Sequence, residues 1–304
     1  MAHQEAILAS ASPSLELSVI VPALNEGDNL RRTISGLDST LPPASEIIVV
    51  DDGSTDGGAD FLRGSRNVRL FEPEMPGVRL GAPAARNKGA AAASGEVLIF
   101  LDAHVDVVPG WAEPLIAAAR DPAVGAAAPG ISVIGRPDCC GFGLRFRDAG
   151  LGVEWLPPPT GMAEAPLLPG ACLAVRRALF FDEGGFDAGL ILWGSEDAEL
   201  SLRLWTAGYA LRVVPEVTVA HLFRDQHPYA IDWTGVLHNM LRLAVVHFSP
   251  ERLTRVLDRQ KHYRDFAPAW ALLMDTDAIT RRAAVRTRRT RDDQDYFAHF
   301  GDIH

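Results

Sequence analysis

The stretch Glu96–Asp106, EVLIFLDAHVD, decides the expected fold of the chain. Its apolar run, Val97–Leu101, is typical of a short strand that is buried on both faces of a sheet. Asp102, His104 and Asp106 follow at alternate positions, so an extended chain places their side chains on one face. If the chain bends after the strand, Asp102 and His104 still meet at one ion. Carboxylate oxygen with imidazole nitrogen suits Mn²⁺ or Zn²⁺ better than Mg²⁺. An isolated D-x-H pattern more often marks a solvated strand end, so the rest of the chain has to decide.

Strand-like and helix-like segments alternate on the N-terminal side of this stretch. The pattern predicts strands at 17–21, ended by Pro22, at 47–50 and at 68–71, with helices at 25–37 and 81–89. This order of elements predicts an open α/β sheet, in which ligands bind at the carboxyl ends of the strands. Asp51 and Asp52 fall at one such end. Helix capping by Ser54 or Asp56 explains part of this polar turn, but not two successive carboxylates.

A second informative turn lies within Trp193–Trp205, WGSEDAELSLRLW. Ser195 is a good N-cap, and the leucines after it supply the apolar side of a helix. Glu196 and Asp197 fall in the first helical turn, where the macrodipole keeps carboxylates ionised. An ionised carboxylate in a cleft is what a general base requires. Capping and dipole compensation explain the same two residues equally well, so both explanations stay open.

The remainder of the chain predicts two last strands and then helices. The strands are expected at 211–214 and 217–220, directly before His221, and a lone histidine after a strand is usually structural. From Ile231 the periodicity is helical, and Ser249 before Pro250 is typical of a helix start. We therefore expect a disordered lead-in at 1–14, an α/β domain at 15–230 and a helical extension at 231–304.

Composition and missing motifs argue against several classes of protein. The chain has 304 residues and a net charge of −10, which disfavours non-specific binding of nucleic acid. It lacks the G-x-G-x-x-G turn of dinucleotide-binding folds and the G-x-x-x-x-G-K-[ST] phosphate loop. The apolar runs are too short to span a membrane, and the first residues do not resemble a signal peptide, so we expect a cytoplasmic protein. Three cysteines, two of them adjacent, do not suggest a secreted disulfide framework.

Six motifs, taken in order, resemble the GT-A fold of nucleotide-sugar glycosyltransferases, and family 2 in particular. They read SVIVPALNE, IIVVDDGSTD, GAPAARNKGA, FLDAH, PGACLAVRR and WGSEDAELSLRLW. Within that fold, DAHVDVVPGWAEPL, LWGSEDAELSLRLW and AHLFRDQHPY are most similar to the catalytic domain of polypeptide N-acetylgalactosaminyltransferases. The resemblance implies an α/β GT-A fold, with an open mixed sheet flanked by helices at 15–230 and a helical C-terminal appendage.

The resemblance assigns a metal site to the chain. In the family, the D-x-H pair and a distant histidine hold Mn²⁺ against the diphosphate of UDP, which makes Asp102, His104 and His221 the implied ligands. Mg²⁺ is the alternative ion. Asp106, at first an equal member of the cluster, becomes a bystander because His221 supplies a better third ligand.

The resemblance also implies which residues contact the donor. The residues implied to bind the nucleoside, the diphosphate or the donor sugar are Pro22, Glu26, Asp51, Asp52, Arg86, Asp102, Gly170, Ala171 and Trp193. Arg224 and Tyr229 are implied to belong to a mobile lid near the phosphates. Glu196 and Asp197 are implied to border the sugar and the acceptor.

Together these features predict a metal-dependent glycosyltransferase that moves a sugar from a UDP-hexose or UDP-N-acetylhexosamine to an acceptor hydroxyl. Glu196-Asp197 stands where the polypeptide transferases usually have Glu-Asn, and it matches the family 2 pattern in which the Asp is the base of an inverting reaction. We therefore expect inversion with Asp197 as base, and retention is the alternative. The acceptor, whether peptide, glycan or small molecule, stays open.

Two further classes of function are less favoured. A sugar nucleotidyltransferase also binds nucleotides on an open sheet, but it normally has a Gly-rich basic loop after the first strand, where this chain has PALNEG. A non-catalytic module that binds sugar or protein would tolerate loss of Asp102 or His221 in any activity assay.

Overall fold

The computed structural model describes residues 15–75, 77–224 and 226–303. The predicted lead-in at 1–14 lies outside the described residues. Strands and helices are mixed along the chain as far as His221, and the later elements are helices, from Trp233 to Phe300. The predicted α/β class with helices at the C-terminal end is therefore confirmed.

The strands and helices have the following bounds. The strands are β1 Leu17–Ala23, β2 Ser45–Asp51, β3 Val68–Phe71, β4 Val97–Leu101, β5 Val105–Asp106, β6 Val124–Val133, β7 Arg136–Gly141, β8 Leu144–Phe146, β9 Val153–Trp155, β10 Ala163–Glu164, β11 Cys172–Arg176 and β12 Ala210–His221. The helices are α1 Asp28–Thr40, α2 Ala82–Ala92, α3 Ala112–Arg120, α4 Arg177–Asp182, α5 Glu196–Thr206, α6 Trp233–His247, α7 Pro250–Gln260, α8 Phe266–Met274, α9 Ala278–Arg288 and α10 Asp293–Phe300.

Most strands form one open mixed sheet. Its order is β10-β12-β6-β11-β4-β1-β2-β3, with β5 paired to β12 and β7 paired to β6. β1 runs parallel to β2 and β4, and β6 runs parallel to β12, whereas β11 is antiparallel to both β4 and β6. β8 and β9 form a separate small hairpin. The carboxyl ends of the parallel strands β1, β2 and β4 therefore meet at one edge of the sheet.

The surroundings of β4 explain why the sequence of this strand is continuously apolar. All five of its residues are fully buried, because alternate side chains enter different layers. Leu98 and Phe100 belong to a core that also contains α2 and α5, whereas Ile99 and Leu101 belong to a core that contains α1 and α3. Helices on both faces leave no polar face on the strand, so its sequence is continuously apolar.

The last two predicted strands are one strand in the structure. β12 runs through residues 211–214 and 217–220, and its register against β6 shifts between Val214 and Thr218. Pro129 on β6 and Pro215 on β12 lie beside this shift, and neither has an N–H to donate to the ladder. The interruption that the sequence shows is therefore an irregularity within one strand rather than a turn between two.

Two expected helix caps also differ from the prediction. The sequence offers Asn25 or Asp28 as the N-cap of α1, but Gly27 occupies that position, and Asn25 Oδ1 accepts a hydrogen bond from Thr55 N at 2.8 Å. Ser195 does occupy the N-cap position of α5, but its backbone is left-handed, with φ of 68°, and its side chain makes no capping hydrogen bond. Ser249 caps α7 as predicted, since its side chain accepts from Arg252 N.

The C-terminal helices pack on the core of the sheet. Leu243 and Phe248 at α6, and Tyr296 and Phe297 on α10, belong to the same apolar cluster as Phe100 of β4. The division of the chain into domains at residue 230 stays a prediction. None of the helices among the described residues is both long enough and apolar enough to cross a membrane.

A buried ionic cluster joins α5 to α6. Glu199 is fully buried, and both of its carboxylate oxygens accept hydrogen bonds from Arg203, at 2.9 and 2.8 Å. His247 Nε2 lies 3.0 Å from Glu199 Oε1. Burial favours the neutral acid, but the charge and hydrogen bonds of Arg203, together with the contact to His247, outweigh it and hold the pKa of Glu199 well below its usual range.

Glu199→Gln is expected to destabilise the fold, because it leaves the Arg203 guanidinium buried without its counter-charge. We expect the free energy of unfolding to fall by about 3–5 kcal/mol, as measured by urea denaturation. A lowered pKa stabilises the fold above the unfolded value of about 4.3, so the stability that Glu199 adds is lost as the pH falls below that value. Asp258→Asn, which breaks an exposed pair with Lys261, is the control and should cost less than about 1 kcal/mol. Equal effects of the two changes would contradict the assignment.

Candidate active site

A cleft of about 500 Å³ opens at the carboxyl ends of β1, β2 and β4 and beside the end of β12. This is the edge at which open α/β sheets bind ligands, and the volume is typical of a small-molecule site. The predicted site residues on its walls are Pro22, Glu26, Asp52, Arg86, Asp102, His104, Gly170, Ala171, Trp193, Glu196, Asp197, His221, Arg224 and Tyr229. Asp51 is not on the walls, because its carboxylate accepts from Ser54 N at 2.9 Å and closes the turn after β2.

Three predicted metal ligands converge at one end of the cleft. Asp102, His104 and His221 each offer one ligand atom, and the three atoms lie within 4.8 Å of one another. Asp102 and His104 lie in the bend after β4, and His221 ends β12. β5 follows the bend at once and pairs antiparallel with the end of β12, which brings the two segments together.

Asp106 lies outside this cluster, as predicted. The chain does not stay extended after Leu101, so Asp106 does not share a face with the other two polar residues. Its carboxylate instead accepts a hydrogen bond from Arg32 Nε at 2.7 Å on the exposed surface.

Glu26 lies directly behind the cluster. Its Oε1 lies 3.1 Å from His104 Nδ1, which leaves Nε2 as the ring nitrogen available to a metal. Arg224 also binds Glu26, with Nη1 3.2 Å from Oε1 and a second contact to Oε2. Burial opposes ionisation of Glu26, but its hydrogen bonds with His104 and Arg224 prevail and lower its pKa. An ionised Glu26 is therefore placed to orient the His104 ring, as carboxylates do behind metal-binding histidines.

Asp102 is held in its charged form. His221 Nε2 lies 3.3 Å from Asp102 Oδ2, and Arg86 Nη2 donates to Asp102 Oδ1 at 2.9 Å. Burial favours the neutral acid, but the His221 hydrogen bond and the Arg86 charge hold the pKa of Asp102 well below its usual range. One carboxylate oxygen with two imidazole nitrogens is a donor set that fits Mn²⁺.

Arg86 links this cluster to helix α5. The side chain is 5% exposed, and besides Asp102 it binds Glu196, with Nη1 2.6 Å from Oε1. The second carboxylate oxygen of Glu196 accepts from Gly194 N at 2.8 Å. Both oxygens of Glu196 are therefore engaged inside the protein, so Glu196 fixes Arg86 rather than offering a free carboxylate to the cleft.

Asp197 is the more accessible of the two adjacent carboxylates. Its Oδ2 accepts from Gly170 N at 2.9 Å and its Oδ1 from Ala198 N at 2.8 Å. Burial, together with the negative charge of Glu196, raises the pKa of Asp197 to about 6. A carboxylate with a pKa near neutrality is suited to accept a proton in the cleft.

The segment before α5 is held in unusual backbone conformations. Leu192 and Ser195 have φ of 49° and 68°, in the left-handed region that such residues rarely adopt. Gly81, at φ of 87°, lies so close that a Cβ on it would meet Leu192 Cα at 2.5 Å. Ala82 N donates to Leu192 O at 2.6 Å, so the start of α2 packs directly on this segment.

Arg79, which no sequence motif predicts, lies between Asp52 and Tyr229. Asp52 accepts from the backbone N–H groups of Leu80 and Gly81, and Arg79 Nε lies 3.6 Å from its Oδ2. The Arg79 guanidinium carbon lies 4.9 Å from the centre of the Tyr229 ring. Arg79 lies in a Gly/Pro-rich loop with no periodicity, so the sequence carries no signal for it.

Aromatic side chains form another part of the wall, and of the four described here only Trp193 is predicted from the sequence. Trp155 and Phe223 meet edge to face, with ring centres 6.1 Å apart, and His227 lies 5.7 Å from Trp193. Trp155, Trp193 and Phe223 are all exposed large side chains. Exposed aromatic residues on a cleft are a signal that tertiary structure reveals and that a single sequence does not.

Two family models match the chain in succession. Residues 18–138 match Glycosyl transferase family 2, and residues 145–228 match the N-terminal domain of galactosyltransferase. The first model begins in β1 and ends in β7, and the second extends from β8 past β12. The predicted resemblance to family 2 is therefore confirmed for the part of the chain that begins the sheet.

Curated relatives match most of this chain. Polypeptide N-acetylgalactosaminyltransferase 8 of Drosophila melanogaster is 35% identical over 229 residues, which are 69% of this chain and 38% of that protein. Probable polypeptide N-acetylgalactosaminyltransferase 8 of Homo sapiens is 32% identical over 255 residues, which are 76% of this chain and 40% of that protein. The chain thus spans about two fifths of the length of these relatives.

Solved structures show the same fold. GalNAc-T7 with UDP, GalNAc and Mn²⁺ superimposes with a TM-score of 0.78 at 24% identity, covering 95% of this chain and 57% of that one. S. aureus TarS 1-349 with UDP-GlcNAc has a TM-score of 0.62 at 18% identity, covering 92% and 89%. The mannosyltransferase PcManGT from Pyrobaculum calidifontis, with GDP-Man and Mn²⁺, has a TM-score of 0.51 at 20% identity, covering 90% and 74%. The predicted GT-A fold is confirmed.

Proposed function

Because residues 18–138 carry a glycosyl transferase family 2 domain in a chain of the GT-A fold, we propose that this protein is a metal-dependent glycosyltransferase. The donor is a UDP-hexose or UDP-N-acetylhexosamine. The observation that carries the proposal is the convergence of Asp102, His104 and His221 within 4.8 Å at one end of the cleft. Arg86 and Asp197 lie beside that cluster, where a departing diphosphate and an attacking hydroxyl need a cation and a base.

Mn²⁺ is the proposed resident metal, and Mg²⁺ is the less favoured alternative. Asp102, His104 and His221 would hold it, and Glu26 would keep the His104 ring in place. When bound, the ion neutralises charge that develops on the diphosphate oxygens. The mixed oxygen and nitrogen donor set favours Mn²⁺ over Mg²⁺, which prefers oxygen ligands.

The cationic side chains on the walls support a diphosphate donor. Arg224 lies beside the metal cluster and is 14% exposed, and Arg79 also lines the cleft, against the Tyr229 ring. Both guanidinium groups are bound to carboxylates, to Glu26 and Asp52, so they stay in place without a ligand. The solved neighbours named above hold UDP, UDP-GlcNAc or GDP-Man, and we propose UDP for this chain.

In the proposed reaction, an acceptor hydroxyl attacks the anomeric carbon while the bond from that carbon to the diphosphate oxygen breaks. The bonding electrons leave with UDP, and the hydroxyl proton passes to Asp197. This inverts the anomeric configuration. The raised pKa of Asp197, about 6, supports the role of base, because the carboxylate gains basicity and is still ionised at neutral pH.

Retention of configuration is the second candidate, and one observation favours it. Both oxygens of Asp197 already accept backbone hydrogen bonds, from Gly170 N and Ala198 N, and this reduces their capacity to take a proton. The names of the curated relatives also favour a polypeptide hydroxyl as the acceptor. We propose a peptide acceptor first, with glycans and small molecules as the other acceptors to test.

Metal-dependent stabilisation by a donor tests the proposal. UDP at 100 times its dissociation constant should add about 2.7 kcal/mol to the free energy of unfolding when Mn²⁺ is present, and much less with a chelator. ADP and GDP are the matched controls.

Transfer from a panel of UDP-sugars to a peptide library should then depend on Mn²⁺, and NMR of the product assigns the anomer. Sugar-1-phosphate turnover with UTP would support a nucleotidyltransferase instead, and stabilisation without turnover would support a binding module.

A further inference from the structure

The segment Ile191–Ser195 borders the cleft, and its backbone is strained. Leu192, Gly194 and Ser195 have φ of 49°, 102° and 68°. For leucine and serine such angles are unfavourable, and they persist only where surrounding contacts hold them. Trp193, on this segment, and Glu196, directly after it, both line the cleft. Something must therefore fix the segment in place.

Asn239 on α6 makes the contacts that fix it. The side chain is fully buried, and its Oδ1 accepts from Ile191 N at 2.9 Å. Its Nδ2 donates toward three carbonyl oxygens, those of Ile191 at 2.8 Å, Trp193 at 3.2 Å and Gly194 at 3.0 Å. One side chain thus binds the backbone at three positions of a five-residue segment.

Only a carboxamide of this length satisfies these groups. The segment presents one N–H and three C=O groups to the same point, and asparagine supplies an acceptor oxygen and a two-hydrogen donor. Aspartate has the same shape but would direct carboxylate oxygens at carbonyl oxygens. Leucine would remove the hydrogen-bond partner of all four backbone groups, which is unfavourable.

A second residue of α6 holds the part of the chain just before this segment. Arg242, one turn further along, donates to both carboxylate oxygens of Asp187 at 2.8 Å. The guanidinium packs so tightly on the chain that a Cβ at Gly189 would meet it at 2.1 Å. Helix α6 therefore holds residues 187–195 at both ends.

We propose that Asn239 is a positioning residue for transfer, because it holds Ile191–Ser195 in the conformation that places Trp193 and Glu196 at the cleft. The proposal rests on the proposed function for its kinetic consequence. Gly194 N donates a hydrogen bond to Glu196, Arg86 donates to Glu196, and Arg86 also donates to Asp102. The C-terminal helices thus contribute to the active site without lining the metal cluster.

The test compares Asn239→Leu and Asn239→Asp with Leu241→Ala as a matched control. Leu241 lies on the same helix and is fully buried, but it belongs to the apolar cluster with α8 and is not among the residues that line the cleft. Its truncation destabilises the fold by loss of packing, without removing any hydrogen bond to the segment. Tm is measured for all three variants.

Hydrogen exchange gives a readout that does not depend on activity. In both Asn239 variants, peptides that cover residues 190–196 should lose protection by about tenfold or more, well beyond the change in β1 peptides. In Leu241→Ala the two regions should change alike. Unchanged protection at 190–196 in Asn239→Leu, or equal loss throughout the chain, would overturn the proposal.

Kinetics test the consequence for transfer. In both Asn239 variants, kcat should fall by about 10²-fold, since small misplacement of reacting groups has effects of this size. The dissociation constant for UDP with Mn²⁺ should change less than threefold, and Leu241→Ala should keep kcat per folded molecule. Lost protection with unchanged kcat would overturn the kinetic part. If the wild type transfers no sugar, the proposed function fails, and hydrogen exchange still decides whether Asn239 holds the segment.

Discussion

Asp102→Asn is expected to abolish metal-dependent donor binding and to lower transfer by at least about 10³-fold, because several kcal/mol of charge stabilisation at the diphosphate are lost with the ion. The change preserves the volume of the side chain and removes the negative charge that Arg86 and His221 surround. Titration calorimetry with Mn²⁺ and UDP measures the binding, and initial rates measure the transfer.

Asp106→Asn is the matched control for this prediction. It is the same substitution four positions further along, at a carboxylate that pairs only with exposed Arg32 among the described residues. We expect normal Mn²⁺ binding and normal transfer in this variant. If Asp102→Asn behaved like Asp106→Asn, the metal assignment would be wrong. His221→Ala, which removes another of the three proposed ligands, should reproduce the loss.

Asp197→Asn is expected to lower the rate of transfer by about 10²–10⁴-fold, the usual contribution of a general base. Donor binding should change little, because Asp197 is not in the metal cluster. Rates at saturating donor, with binding and Tm measured on the same samples, separate the chemical step from folding. Near-normal turnover would remove Asp197 from the mechanism and would support the retaining reaction.

The pH dependence of transfer gives a second test of the same role. Burial and the charge of Glu196 raise the pKa of Asp197 to about 6, so the side chain takes up a proton as the pH falls through that value. A protonated carboxyl cannot accept the acceptor proton, so wild-type transfer should decrease below pH of about 6. The residual rate of Asp197→Asn should lack this decrease. An unchanged pH profile in the variant would assign the titration to another group.

The sequence predicts the metal cluster better than it predicts the surroundings of the cluster. The family resemblance brings Asp102, His104 and His221 together, whereas the strand pattern alone indicates only that Asp102 and His104 follow a strand and leaves His221 as a structural residue. Glu26 is different. The resemblance implies that Glu26 contacts the donor, which stays a prediction, but it does not indicate that the carboxylate contacts His104 and Arg224, because such contacts depend on side-chain geometry that motif order does not carry.

Other differences between the prediction and the structure have a related cause. Residues 211–220 contain an interruption in the strand pattern, and local pattern does not distinguish a turn from an irregularity that the neighbouring strand bridges. Asn239 lies in a helix pattern in which an asparagine is merely a weak helix former. Its importance comes from Ile191–Ser195, which is distant in the sequence and close in space. Asp51, predicted at the cleft, is instead used to close its own turn.

The position of His221 at the end of β12 also determines when, during synthesis of the chain, all three residues of the metal cluster are present. Asp102 and His104 are synthesised early, but His221 ends β12, which is the last strand in chain order among the described residues. A nascent or partly unfolded chain without β12 therefore lacks one of the three ligands. If the pairing of β12 with β5 forms after the folding transition state, a bound ion should act mainly by slowing unfolding rather than by speeding folding. An ion bound at the cluster would then indicate that β12 has paired with the rest of the sheet.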